Sequence, residues 1–359
     1  VSSVKEDYAK FREEYANRQT DKSYIKIDEA RKNKFAIDWQ NETPAVPTFL
    51  GTKVFEDYDL AKVADFIDWT PFFQSWDLHG RYPKILKDDI VGVEATSLFN
   101  DAQNMLKKLI DEKLLTLKAV VGFWPANTMN DDTIETYEFE FTNGTVNQYS
   151  EKRGKVLASF PQLRQQGKKG AGVPNISLAD FIAPKESGKN DYLGGFAVTV
   201  FGAEELAKKY EEALDDYNSI MVKALADRFA EAFTEHLHKR VRTEWWAYDA
   251  NENLENEDLI REKYKGIRPA PGYPACPDHT LKIELFKILD ATNKIDVVLT
   301  ENLAMYPASS VSGFFFAHPQ SKYFGLGKIE KDQVEAFCEV KKMNIEDAER
   351  WLSPVLNYG

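Results

Sequence analysis

Cysteine is nearly absent from this sequence: Cys276 and Cys338 are the only two in 359 residues. That excludes a disulfide framework and suits a reducing, cytoplasmic setting. Long apolar runs are missing as well, so no stretch reaches the ~20 residues that a membrane-spanning helix needs. The opening run from Val1 to Tyr15 is too charged for a signal peptide. An initiator methionine is also lacking, which is read as the mark of a piece taken from a longer protein. Nor is there an excess of basic charge. With 46 Lys+Arg against 58 Asp+Glu the formal net charge is -12, which argues against nucleic acid or an anionic membrane as a general partner.

Motifs that carry chemistry by themselves are equally sparse. The run from Arg164 to Gly172 holds glycines and lysines without the spacing of a phosphate-binding loop. No Gly-x-Gly-x-Gly loop follows a strand, so a Rossmann-type nucleotide site is excluded. Cys276 and His279 have the spacing of half a zinc site, but no second half exists. His236 and His238, two apart on a helix, point to different sides and make a poor metal pair. With no triad, carboxylate dyad or metal cluster, no residue is assigned as catalytic or as a metal ligand.

What the chain does have is an ordinary globular balance, 43% hydrophobic and 29% charged, and enough length to bury a large core. Residues 1–36 read as a charged helical linker or arm and residues 37–359 as one body. Helical spacing predicts a short helix over 57–67, a longer one over 93–113, and a pattern from 203 to 248 that is expected to break near 217–220. Strands are predicted from Leu117 to a stop at Pro125, from Ile134 to Phe141 closing on Asn143-Gly144, over Asp191–Val200, and from Ser321 through Phe324. Asp227, Glu231 and Glu235 fall at four-residue steps, an acidic row for which a solvated helix face is the ordinary explanation. Asp68 heads a dense aromatic block, Ile67 to Trp76. By default it is an N-cap, although a carboxylate among rings also needs a partner, and a ligand ammonium is one candidate.

The most unusual stretch is Arg268-Pro-Ala-Pro-Gly-Tyr-Pro-Ala-Cys-Pro-Asp-His-Thr280. Proline at 269, 271, 274 and 277 removes backbone donors and fixes φ, so this is an ordered loop. It is either a stiff connector or a preorganised ligand loop offering one guanidinium, one phenol and a row of free carbonyls. Asp278 is expected to cap a helix from His279 to Leu289.

Four strings carry a resemblance to a known family: Asp-Trp-Thr-Pro-Phe-Phe at 68–73, Gly-Gly-Phe at 194–196, the Arg268 loop, and Ser-Val-Ser-Gly at 310–313 with Ser-Lys-Tyr at 321–323. Over nearly all of residues 40–359 the chain resembles the C-terminal activation domain of cobalamin-dependent methionine synthase, an S-adenosylmethionine-binding module. The resemblance, together with the hairpin signal, implies an α/β fold of the α+β kind, one large domain with a twisted, mainly antiparallel sheet flanked by helices. It makes the first 36 residues a tether from a preceding cobalamin-binding domain. It implies S-adenosylmethionine as the ligand, cobalamin held by a partner domain, and flavodoxin or a flavoprotein reductase as electron donor for reductive methylation of cob(II)alamin. The matching contact positions are Asp68, Arg268, the backbone of Ala270 and Gly272, Tyr273, and Tyr323 with Phe324; Glu231 and Glu262 match acidic residues near the sulfonium.

Chemistry is consistent with those positions. Arg268 can grip an α-carboxylate in a bidentate fork, Asp68 can pair with an α-ammonium, and the two glutamates can favour a sulfonium. Where the family often has two tyrosines this chain has Tyr323 and then Phe324, so a second phenol contact is lost. The rival reading is a module that only senses S-adenosylmethionine or docks on a corrinoid protein without supporting methyl transfer.

Overall fold

The structure, a computed structural model, describes residues 23–139 and 154–358. A central sheet is built on β2 (Thr116–Met129), an unusually long strand. On one side β2 pairs along its length with β5 (Asp191–Phe201). On the other side it pairs with two strands in succession, β1 (Gly51–Tyr58) up to Phe123 and β3 (Thr133–Tyr137) from Ala126. Pro125 falls in the break between those two partners. There its missing N–H leaves no gap in either ladder, and the strand runs on through it instead of stopping. β4 (Val156–Pro161) adds to β3, and β8 (Ser310–Phe315) adds to β5. Every ladder in the sheet is antiparallel, as expected. A separate two-stranded ribbon joins β6 (Val298–Leu299) to β7 (Met305–Tyr306).

Alternation along the central strands divides the core between the two faces. Leu117, Ala119, Val121 and Phe123 of β2, with Phe196, Val198 and Val200 of β5, face one cluster. Covering them are α2 (Leu60–Ala64), α3 (Trp69–Gln74), α4 (Gly92–Asp111) and α6 (Asp216–Arg240), the last through Met221, Leu225, Phe229 and Phe233. Val120, Trp124 and Ala126, with Leu193 and Ala197, face a second cluster under α8 (Leu281–Leu289) and α9 (Ala291–Ile295). A small third cluster seats α10 (Lys331–Lys341) and α11 (Ile345–Leu352).

Several boundaries differ from the expectation. The segment 51–58 is strand β1, with Asp59 capping the helix that follows through the Ala61 amide. The long helical pattern breaks at 213–215 rather than 217–220, where Leu214 takes a left-handed φ of 58° between α5 (Ala203–Glu212) and α6. Residues 321–324 form no strand; they run as irregular chain packed on the second cluster. The expected Asn143-Gly144 turn lies outside the described residues. The entry arm, with α1 (Ile27–Lys32), is fastened to the body by the Ile25 amide on the Gln166 carbonyl and by Arg31 on Asp132.

Arg164 is one of two arginines, with Arg242, that are sealed completely among the described residues. Its guanidinium donates to Asp132, to both oxygens of Asp180, and to the carbonyls of Asp131 and Asn175, and its side chain has no exposure. Removing one partner of such an assembly strands buried charge, so Arg164→Ala is expected to destabilise the fold by about 3–5 kcal/mol in chemical denaturation.

Candidate functional site

A cleft of about 450 Å³ opens where α6, the sheet and the Arg268 loop meet, a volume in the range of small-molecule sites. Glu231 and Thr234 of α6, Phe196 of β5 and Val311 of β8 line it together with Arg268 to Ala270 and Tyr273 to Ala275 of the loop. Glu262, Tyr323 and Phe324 complete the lining. Seven of the expected contact residues therefore converge on one cavity: Glu231, Glu262, Arg268, Ala270, Tyr273, Tyr323 and Phe324.

The loop is held by its backbone. Ile267 exchanges hydrogen bonds with Phe316, and the Pro269 carbonyl accepts from the Phe314 amide at 2.9 Å, so the segment entering the loop pairs beside β8. Gly313 makes this approach possible, since a Cβ there would meet the Pro269 oxygen at 2.7 Å. Within the loop, the carbonyls of Ala270 and Tyr273 accept from Tyr273 and Cys276, and that of Pro274 from Leu326. Several of the acceptors expected to be free are thus engaged inside the protein: removing a donor does not by itself leave the neighbouring acceptors idle. Gly272 turns the loop at φ +105°, and a Cβ there would lie 2.3 Å from His279 Cε1. Asp278 accepts from the amide and hydroxyl of Thr280, so α8 begins two residues later than expected. Burial holds Cys276 as a thiol with its pKa well raised, and no cluster of three metal-ligating side chains exists among the described residues.

Arg268 ends a charged chain that the sequence did not reveal. Its Nη2 lies 2.7 Å from Glu235 Oε2, while Nη1 donates to the Tyr264 hydroxyl at 2.6 Å and approaches His238 Nδ1 at 3.3 Å. Behind it Arg242 stands 3.8 Å from Glu235 and grips Glu252 with Nε and Nη2 at 2.5 and 2.9 Å. Signs therefore alternate from Glu252 through Arg242 and Glu235 to Arg268. Burial works against the Arg268 charge, but Glu235, with Tyr264 and Tyr323, outweighs it and raises its pKa. Burial lifts the Glu235 carboxyl above its ordinary value, opposed by Arg268 and Arg242. His238 is pushed well down by burial and by both arginines, so it is neutral. Since arginine only donates, Nδ1 accepts and Nε2 carries the proton facing Tyr248.

The acidic row on α6 is therefore no uniform solvated face. Asp227 is exposed and bonds Ser309, Glu231 is half-buried and accepts from Tyr273 at 3.4 Å, and the Glu235 side chain keeps only 9% exposure. Glu231 raises the Tyr273 phenol, with burial second. Tyr323 accepts the Arg268 amide at 3.0 Å and shares a hydrogen bond with Tyr264 at 3.2 Å; its phenol braces the loop. Asp68 does not line this cleft. It caps α3 through the Thr70 amide and lines a second, wider cleft of about 1120 Å³. Consecutive residues of the turn after α7 (Asn256–Ile260) line the two clefts, Arg261 the wider one and Glu262 the one at Arg268.

Residues 59–342 match the family model described as the vitamin B12 dependent methionine synthase, activation domain. The chain belongs to this family. A solved structure, the MetH reactivation domain bound to AdoHcy, is similar at 50% sequence identity and a TM-score of 0.88, covering 94% of this chain and 99% of the other. The mixed architecture of an antiparallel sheet with flanking helices is thus that of the activation domain. Among the described residues no helix is long and apolar enough to cross a membrane.

Gly272 tests whether the loop geometry is required. Gly272→Ala is expected to cost about 1–3 kcal/mol in thermal denaturation, from a strained φ and the clash with His279. Gly272→Ala combined with His279→Ala recovers only the clash.

Proposed function

We propose that the cleft binds S-adenosylmethionine, and that this activation domain supports reductive methylation of cob(II)alamin carried by a partner domain of methionine synthase. The observation that carries the reading is a fixed guanidinium, Arg268, facing two glutamates across a cleft of ligand size. The donor set fits the ligand. Arg268 offers an Nε with no protein hydrogen bond among the described residues and is assigned the α-carboxylate, the group a guanidinium fork recognises. Glu231 and Glu262 favour a positive sulfonium over a neutral thioether. Phe196, Val311 and Phe324 supply apolar surface for the nucleoside, and the backbone of Ala270 with the Tyr273 phenol supplies polar contacts. Gly272, expected as a further contact, lies outside the lining, and its amide donates to the Cys276 carbonyl at 2.7 Å.

A methyl group on a sulfonium is already activated, so position and charge are what these residues contribute. The resemblance of the AdoHcy-bound structure supports the same ligand class. Cobalamin is assigned to the partner domain, with residues 1–36 as the tether, and a flavodoxin or flavoprotein reductase as the electron source in the cytoplasm.

Calorimetry with S-adenosylmethionine is the direct test. Arg268→Ala is expected to weaken binding by about 2–5 kcal/mol; affinity close to wild type removes the site. Melting temperature is followed in parallel because this change also strands Glu235. Methylcobalamin formed from an added cob(II)alamin domain and reductant separates support of methylation from sensing alone. Asp68, assigned the ammonium, acts only if the ligand reaches across the turn after α7. Asp68→Asn keeps the cap and removes the charge, and is expected to lower affinity by about fivefold; unchanged affinity excludes Asp68 from the contacts.

A further inference from the structure

We infer that Glu235 is the positioning residue of the ligand site: through its ion pair it fixes the direction in which the Arg268 guanidinium meets the ligand carboxylate. The inference rests on the proposed ligand and adds a residue that touches none of it. Glu235 is absent from the cleft lining, yet its Oε2 is 2.7 Å from Arg268 Nη2. An arginine side chain has many rotamers, and an unheld guanidinium loses that freedom on gripping a ligand. Here the freedom is already spent. Glu235 holds Nη2, Tyr264 and neutral His238 hold Nη1, and the Tyr264 ring lies under the guanidinium at 5.5 Å. What remains is the Nε side of the fork.

Charge points the same way. Arg242 and Glu252 neutralise each other by a two-bond contact, so Glu235 and Arg268 form the terminal pair of an alternating series. A ligand carboxylate beyond Arg268 extends that alternation by one. Glu235 Oε1 and Arg242 Nη1, facing each other at 3.8 Å, both lack hydrogen-bond partners. Glu235 is thus held mainly by Arg268, and the π-helical turn Val241–Trp245, directly after α6, sets Arg242 at that distance. Irregular turns of this kind recur at functional sites.

The test uses two ligands that share the nucleoside. S-adenosylhomocysteine has an α-carboxylate; 5′-methylthioadenosine lacks the amino-acid tail. Glu235→Gln, nearly isosteric, is expected to weaken S-adenosylhomocysteine about tenfold while leaving 5′-methylthioadenosine within about twofold. In an Arg268→Ala background the Glu235 change is expected to have no further effect on either ligand. Equal losses for both ligands, or an undiminished preference for S-adenosylhomocysteine in Glu235→Gln, overturn the positioning role. If Glu235→Gln does not fold, Glu235→Asp carries the same comparison, with an expected selective loss of about threefold. Failure of the wild-type domain to bind S-adenosylhomocysteine at all rejects the ligand assignment and this inference together, a result distinct from normal wild-type binding with unselective variants.

Discussion

The ion pair between Glu235 and Arg268 joins the two halves of the site. One partner comes from the buried end of α6, the helix that packs the sheet, and the other from the loop that walls the cleft. A pair of this kind gains little net stability, because desolvating both charges offsets much of their attraction. Its worth lies in direction. It ties the orientation of a side chain on a loop to a helix whose position is set by the core, through Met221, Leu225, Phe229 and Phe233. The backbone does the same in parallel, through hydrogen bonds from β8 to Pro269 and Ile267.

Much of this was legible in the sequence, for definite reasons. The prolines of the Arg268 loop required an ordered irregular segment, and the loop is one. The antiparallel sheet followed from period-two alternation and resemblance together, and the strands over 116–129 and 191–201 lie where their apolar content placed them. Pro125 misled because proline ends a strand only where its N–H is needed, and the handover from β1 to β3 is a non-local fact. The carbonyls of Pro269 and Pro274 misled for a related reason: their partners, Phe314 and Leu326, are distant in sequence.

Glu235 was hidden by helical geometry. Four-residue steps overshoot a 3.6-residue turn by about 40° each, so a row of that spacing winds around the helix. Asp227 begins on the solvent side and Glu235 ends inside, with Glu231 between them at the cleft. A single periodic pattern thus contains a surface residue, a lining residue and a buried brace. Asp68 illustrates the opposite limit, since its capping of α3 followed from local sequence while its distance from the Arg268 cleft depended on how the helices pack.

The hydrogen bonds that tie Ile267 and Pro269 to β8 have a consequence for the protein in solution. β8 ends the sheet, and an outermost strand with idle amides and carbonyls is a template for pairing with another chain. The Arg268 loop occupies that template along Phe314–Phe316, and the proline at 269 offers no amide to continue the ladder outward. The segment that walls the cleft is also the guard of the sheet's margin. Loosening it uncovers an aromatic strand, Phe314 to Phe316, so substitutions in this loop act on the sheet's margin as well as on the shape of the cleft.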